Sequence, residues 1–226
     1  MDAKALADLQ TELAATARHV AAWQPPSDPL RVAGCWVCFP RGLTGPGDAG
    51  DRAWVAATVL TDGRVVDEHV GDDVAGAPYR PGLLALRLGR PMERAVRALA
   101  VRPDLLLVDA TAGDHPRGAG LALHLGAELD LPTIGITHRP LVARGEWPTD
   151  ERGATAPLRI DDLTVGCWLR TRPGTRPLVV HPGWRVGLPP AVEVVLAATA
   201  GQRTPEPLRT ARHLARVARE SARLSP

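Results

Sequence analysis

A chain of 226 residues is long enough for one α/β domain with a real core and short for two. Its 45% hydrophobic and 23% charged content is that of an ordinary globular protein, and a net charge of +2 is too small to argue for nucleic acid by itself. No apolar run approaches a membrane span and the first twenty residues lack a signal-peptide pattern, so the chain reads as cytoplasmic with no membrane partner.

In chain order, residues 3–22 carry apolar residues at helical spacing among strong helix formers, which predicts an N-terminal helix stopped by Pro25, Pro26 and Pro29. Arg31 to Phe39 (RVAGCWVCF) predicts a first central strand, followed by a Gly/Pro loop from Pro40 to Asp51. Ala53 to Leu60 and Arg64 to His69 predict two more strands joined by the turn Asp62-Gly63, completing an antiparallel three-stranded meander. The tetrad Tyr79-Arg80-Pro81-Gly82 and the segment Leu83 to Leu88 precede a helix over Met92 to Ala100.

Leu105 to Val108 then predicts a strand buried on both faces, ending in Asp109. A helix over Gly118 to Asp130 and a short strand over Pro132 to Thr137 complete a β-α-β unit. Leu163 to Arg170 and Pro177 to His181 predict two strands, and Pro189 to Ala200 and Pro207 to Leu224 predict helices. The arginines of the last helix, Arg209 to Arg223, suit phosphate contacts but read first as a solvated face. The whole, 1–226, reads as a single α/β domain. It has a mixed sheet, a meander followed by βαβ units, with helices on both faces.

Chemistry concentrates around Asp109, because a carboxylate at the carboxyl end of a buried strand sits where α/β sheets place their ligands. His115, Pro116 and Arg117 follow it closely. Cys35 and Cys38 are spaced CxxC inside an apolar strand, and no second ligand pair completes a zinc site. On an alternating strand, Cys38 shares the face of Trp36. A thiol beside a histidine oriented by a carboxylate would be a nucleophile, so Cys38, Asp109, His115, His138 and His181 are candidate catalytic residues if they converge. The opposing reading makes Cys38 an inert small hydrophobe.

The order of motifs resembles the endonuclease V family, nucleases that nick DNA or RNA beside deaminated bases, especially hypoxanthine. The matching pieces are VAG with CWVCF (32–39), PYRPGLLALR (78–87), LLLVDATAGDHPRGAGLALHLG (105–126), LPTIGIT (131–137), VGCWLRT (165–171), HPG (181–183) and RTPEPLRTA (203–211). The resemblance implies an RNase H-like fold and a site in which three carboxylates hold a divalent metal. Here the first carboxylate position is Trp36 and the second is Leu88, while the third, Asp109, is present. The family's lysine after the short strand corresponds to His138, the serine of its SPG to His181 and the histidine beyond it to Trp184. His115 and His124 match family histidines, and Tyr79, Pro81 and Gly82 match the motif that wedges between bases at the lesion.

The resemblance therefore implies a relative that binds deaminated, inosine-type nucleic acid or nucleotide through Tyr79, Pro81, Gly82, Trp36 and Trp184, without metal-dependent cleavage and without a cofactor. Trp36 and Trp184 are equally well read as filling a vacated metal cavity. An alternative is a repurposed, metal-independent enzyme built on the Cys38/Asp109/His115/His138/His181 group, acting on a nucleotide or small metabolite. A second alternative is residual nuclease activity, with magnesium or manganese held by Asp109 and a histidine.

Overall fold

A computed structural model describes residues 1–26 and 29–222. In chain order the elements are α1 (Ala3–Thr16), β1 (Val32–Cys38), β2 (Arg52–Thr61), β3 (Arg64–Val74), α2 (Leu84–Arg97), β4 (Leu105–Val108), α3 (Leu121–Leu129), β5 (Thr133–Thr137), β6 (Thr155–Ile160), β7 (Leu163–Leu169), β8 (Leu178–Pro182), α4 (Leu188–Ala198) and α5 (Glu206–Ser221). The strands form one mixed sheet ordered β3-β2-β1-β4-β5-β8-β7-β6. Among the described residues only the pairs β1·β4 and β4·β5 are parallel.

The predicted meander forms as expected. Both residues of its Asp62-Gly63 turn have positive φ, 49° and 72°, the twist that matches flanking right-twisted strands. β3 runs five residues beyond the predicted His69, alternating half-buried and exposed positions along the sheet edge.

Three boundaries differ from the sequence reading. The N-terminal helix stops at Thr16 rather than 22, because Arg18 and His19 tighten to i−3 bonds and are both exposed, bringing no further buried contact. The segments Leu83–Leu88 and Met92–Ala100 are parts of one helix, α2, that passes through Pro91. Proline removes the N–H that would bond to the Arg87 carbonyl, and the Gly76 N–H supplies that bond instead, at 3.2 Å. Strand β6 was not anticipated, because Pro157 and Arg159 interrupt its pattern and it lies at a sheet edge where proline is tolerated. The end of the predicted C-terminal helix, 223–224, lies outside the described residues.

Helices cover both faces. α1, α2 and α3 enclose a core with Ala33, Cys35, Leu106, Val108 and Leu125, while α4 and α5 cover Val32, Leu105, Leu107, Ile134, Ile136 and Val180 on the other. Burial of these apolar side chains, each worth about 1.5–3 kcal/mol, is the main source of stability. Among the described residues no helix is long and apolar enough to cross a membrane.

α5 lies unusually close to β1. A Cβ added to Gly34 would come within 2.4 Å of the Pro207 carbonyl carbon, and the Thr58 hydroxyl donates to the Pro207 carbonyl at 3.2 Å. Because β1, β4 and β5 run parallel, their carboxyl ends meet at one sheet edge, beneath the first two turns of α5.

Candidate functional site

At that edge Trp36 of β1, Asp109 just after β4, and Ile136 and His138 of β5 and its extension line a small cleft with Thr204, Leu208, Arg209 and Arg212. Its volume is about 50 Å³. Strand alternation puts these groups on one face: Val32, Leu105, Leu107, Ile134 and Ile136, the same-parity neighbours of Trp36, Asp109 and His138, all pack beneath α4 and α5.

The cleft is cationic and partly buried. The Arg212 guanidinium stacks over the Trp36 ring, with Cζ 5.0 Å from its centroid. Burial pushes the Asp109 carboxyl up to about 6, against the pull of Arg212. The His138 imidazole is held below its ordinary value by burial and by Arg203 and Arg212. Arg209 pairs with Glu206 at 2.6 Å, yet its Nη1 and the Nε of Arg212 are buried donors without an acceptor among the described residues.

The second part of the site is the turn Tyr79 to Gly82. The Gly82 carbonyl accepts three hydrogen bonds, from His115 Nε2 at 3.1 Å, Arg117 Nη2 at 2.6 Å and Gln10 Nε2 at 3.2 Å. Arg117 Nε also donates to Gln10 Oε1 at 2.7 Å, closing the network. The backbone N–H of Arg117 donates to His115 Nδ1 at 3.2 Å, so the ring proton belongs on Nε2 and the imidazole is neutral. Burial lowers its proton affinity, consistent with that state. Gly82 has φ 73°, a left-handed conformation that favours glycine. Held from below in this way, the turn presents Tyr79 half exposed at 49% and Pro81 to solvent.

The five residues proposed as one nucleophilic group do not converge. Cys38 is buried against Trp54, Ala56 and Ala215. His115 is occupied by Gly82 and Arg117. His181 lies on the opposite sheet face from Val180, fully buried, with Nε2 at 2.9 Å from the Thr137 hydroxyl. Only Asp109 and His138 share the cleft. Cys35 and Cys38, three residues apart, fall on opposite faces, and burial beside Asp109 pushes the Cys35 thiol up to about 12.

Trp184 does not reach the cleft either. It follows Pro182, which pairs with Ile134 near the amino end of β5, and it packs against α3 at Gly126, whose added Cβ would lie 2.3 Å from the Trp184 Cβ. Leu88 packs into the core beneath α1–α3. His124 is buried on α3, and burial lowers its proton affinity.

Sequence reasoning missed Gln10, left Arg117 without a role, and read Arg209 and Arg212 first as part of a solvated helix face, whereas both line the cleft. Arg209 and Arg212 are three apart on α5, a spacing that marks one helix face, but only the packing of α5 on β1 shows that this face looks inward. Asp114 was also passed over: fully buried, it accepts backbone N–H bonds from Leu141, Val142 and Ala143 at 2.7, 2.8 and 2.7 Å and fixes the loop after His138.

Residues 17–213 match the family model described as Endonuclease V. The chain belongs to the endonuclease V family. It is 42% identical over 171 residues to an endonuclease V of Roseiflexus castenholzii, covering 75% of this chain and 77% of that one. The endonuclease V structure from Streptomyces avermitilis superimposes with a TM-score of 0.85 at 35% identity, covering 98% of this chain and 94% of that one. The Ciona intestinalis endonuclease V, solved in complex with a 24mer DNA containing an inosine followed by a ribo-adenosine, shares the fold with a TM-score of 0.78 at 20% identity, covering 95% of this chain and 96% of that one. The RNase H-like fold expected from the motifs is therefore the fold of this endonuclease V chain.

Proposed function

We propose that this chain binds inosine-type nucleic acid or nucleotide without metal-dependent cleavage. The observation that carries the reading is the donor set of the cleft: Asp109 is its only carboxylate, faced by a tryptophan, a histidine and two arginines. A divalent metal of the kind nucleases use wants several oxygen ligands in fixed geometry. Among the described residues, no three His, Cys, Asp or Glu side chains are grouped to hold a metal ion. The residues do not fit the metal, and no catalytic step is derived through one.

Support for recognition comes from the other half of the site. Tyr79 stands exposed on a turn whose Gly82 carbonyl is held by His115, Arg117 and Gln10, and its backbone N–H donates to the Pro46 carbonyl at 2.8 Å, so the backbone that carries the aromatic ring is pre-organised. The endonuclease V of Ciona intestinalis takes inosine-containing DNA on the same fold.

The test pairs binding with nicking. The chain is titrated with inosine-containing and undamaged oligonucleotides, then assayed for strand cleavage in magnesium and in manganese. Tighter binding to the inosine strand with no nicked product is expected, and Tyr79→Ala weakens that binding by about 1–3 kcal/mol, the worth of one stacked base. Equal, negligible binding to both strands overturns recognition, and a nick in either metal overturns the loss of cleavage.

A further inference from the structure

We propose that Arg212, with Arg209, forms a metal-free clamp for one phosphodiester group in the cleft beside Trp36. The inference rests on the nucleic-acid reading above and assigns to this chain's own arginines the charge that a metal would otherwise supply.

Two buried donors without acceptors start the argument. Buried polar groups are almost always hydrogen-bonded, so the Nε of Arg212 and the Nη1 of Arg209 call for an acceptor. Both residues line the same cavity, whose volume of about 50 Å³ has room for several oxygen-sized groups. A guanidinium recognises phosphate through two parallel N–H bonds, and it is pre-organised when its plane is fixed. The Arg212 Cζ lies 5.0 Å from the Trp36 ring centroid, a cation–π contact that holds the guanidinium beside the cleft.

The charge balance also favours an anion. Of the residues that line the cleft, two are guanidiniums, Arg209 and Arg212, and one is a carboxylate, Asp109. That lining is net positive with Asp109 ionised.

The experiment measures affinity for a fluorescent inosine-containing oligonucleotide and its undamaged counterpart by anisotropy, across a salt series, with and without EDTA. For the wild-type chain, EDTA leaves the affinity unchanged. Arg212→Gln weakens both oligonucleotides by about tenfold or more, and it flattens the dependence of log affinity on log salt by about one, as loss of one phosphate contact requires. Arg216→Gln, exposed on the same helix and outside the cleft, changes affinity less than about twofold. Arg212→Lys keeps the charge but not the fork, and recovers the salt slope without the full affinity; a thermal melt of each variant separates lost contact from lost fold. Arg212→Gln binding like wild type while folded, or binding abolished by EDTA, overturns the clamp. If the wild type binds both oligonucleotides equally well, inosine recognition fails while the Arg212 comparison still reads the clamp; if it binds neither, both fail.

Discussion

Asp109 carries most of the information at the scale of single residues. Its carboxyl is pushed from an ordinary 3.8 to about 6 because burial outweighs the attraction of Arg212. A carboxyl with a raised folded value is most favourable below its unfolded value, and that contribution is lost as pH rises through about 6. Asp109→Asn, which stays neutral, therefore melts about 3 °C or more above wild type at pH 8 and level with it at pH 3.5 in paired thermal scans. A mutant that loses stability at pH 8 would show that the carboxylate is held by a partner after all. The position of Asp109 at the end of a buried strand was legible in the sequence, from four apolar residues after a proline. Its neighbours were not: Trp36 lies 73 positions earlier and Arg212 lies 103 later, and only sheet order and helix packing bring them together.

The contact between α5 and β1 decides the shape of the site at the scale of elements. Pro205 and Pro207 start α5 with fixed φ, and the chain then passes directly over Gly34. Gly34→Ala puts a methyl 2.4 Å from the Pro207 carbonyl carbon and 2.8 Å from the Leu208 nitrogen, backbone atoms that cannot rotate away. The expected cost is about 1–3 kcal/mol or more, read as a lower urea midpoint. The displaced helix would also carry Arg209 and Arg212 away from the cleft. An unchanged midpoint would mean that α5 is not seated as described. α2 shows the opposite lesson. Its proline divides the sequence pattern, but the helix continues because Gly76 replaces the bond that proline removes.

Several buried histidines set the pH response of the whole molecule. Burial lowers His115 and His124, and takes His181 to about 4. A histidine whose folded value is depressed must stay neutral to remain buried, so stability is full above about 6.5 and lost as pH falls toward 4. His181 is the clearest of these, since its Nδ1 is buried without a partner and its Nε2 is committed to Thr137. His181→Gln should make the fall in unfolding free energy between pH 6.5 and 4 shallower, by about 1.4 kcal/mol per pH unit where that one proton is taken up, in urea titrations across the range. An acid limb as steep as that of wild type would remove His181 from this account.

The sequence by itself determined the order and type of most elements, the family, and the identity of the groups on which any chemistry depends. These follow from local causes: apolar periodicity, proline and glycine punctuation, and motifs of contiguous residues. Which groups meet was decided by the tertiary structure. Period-two alternation sends Cys35 and Cys38 to opposite faces, parallel pairing brings Trp36, Asp109 and His138 to one edge, and three hydrogen bonds on Gly82 turn His115 from a candidate catalyst into a support for Tyr79. Packing of α5 then turns two of its arginines inward, onto the edge where Asp109 stands.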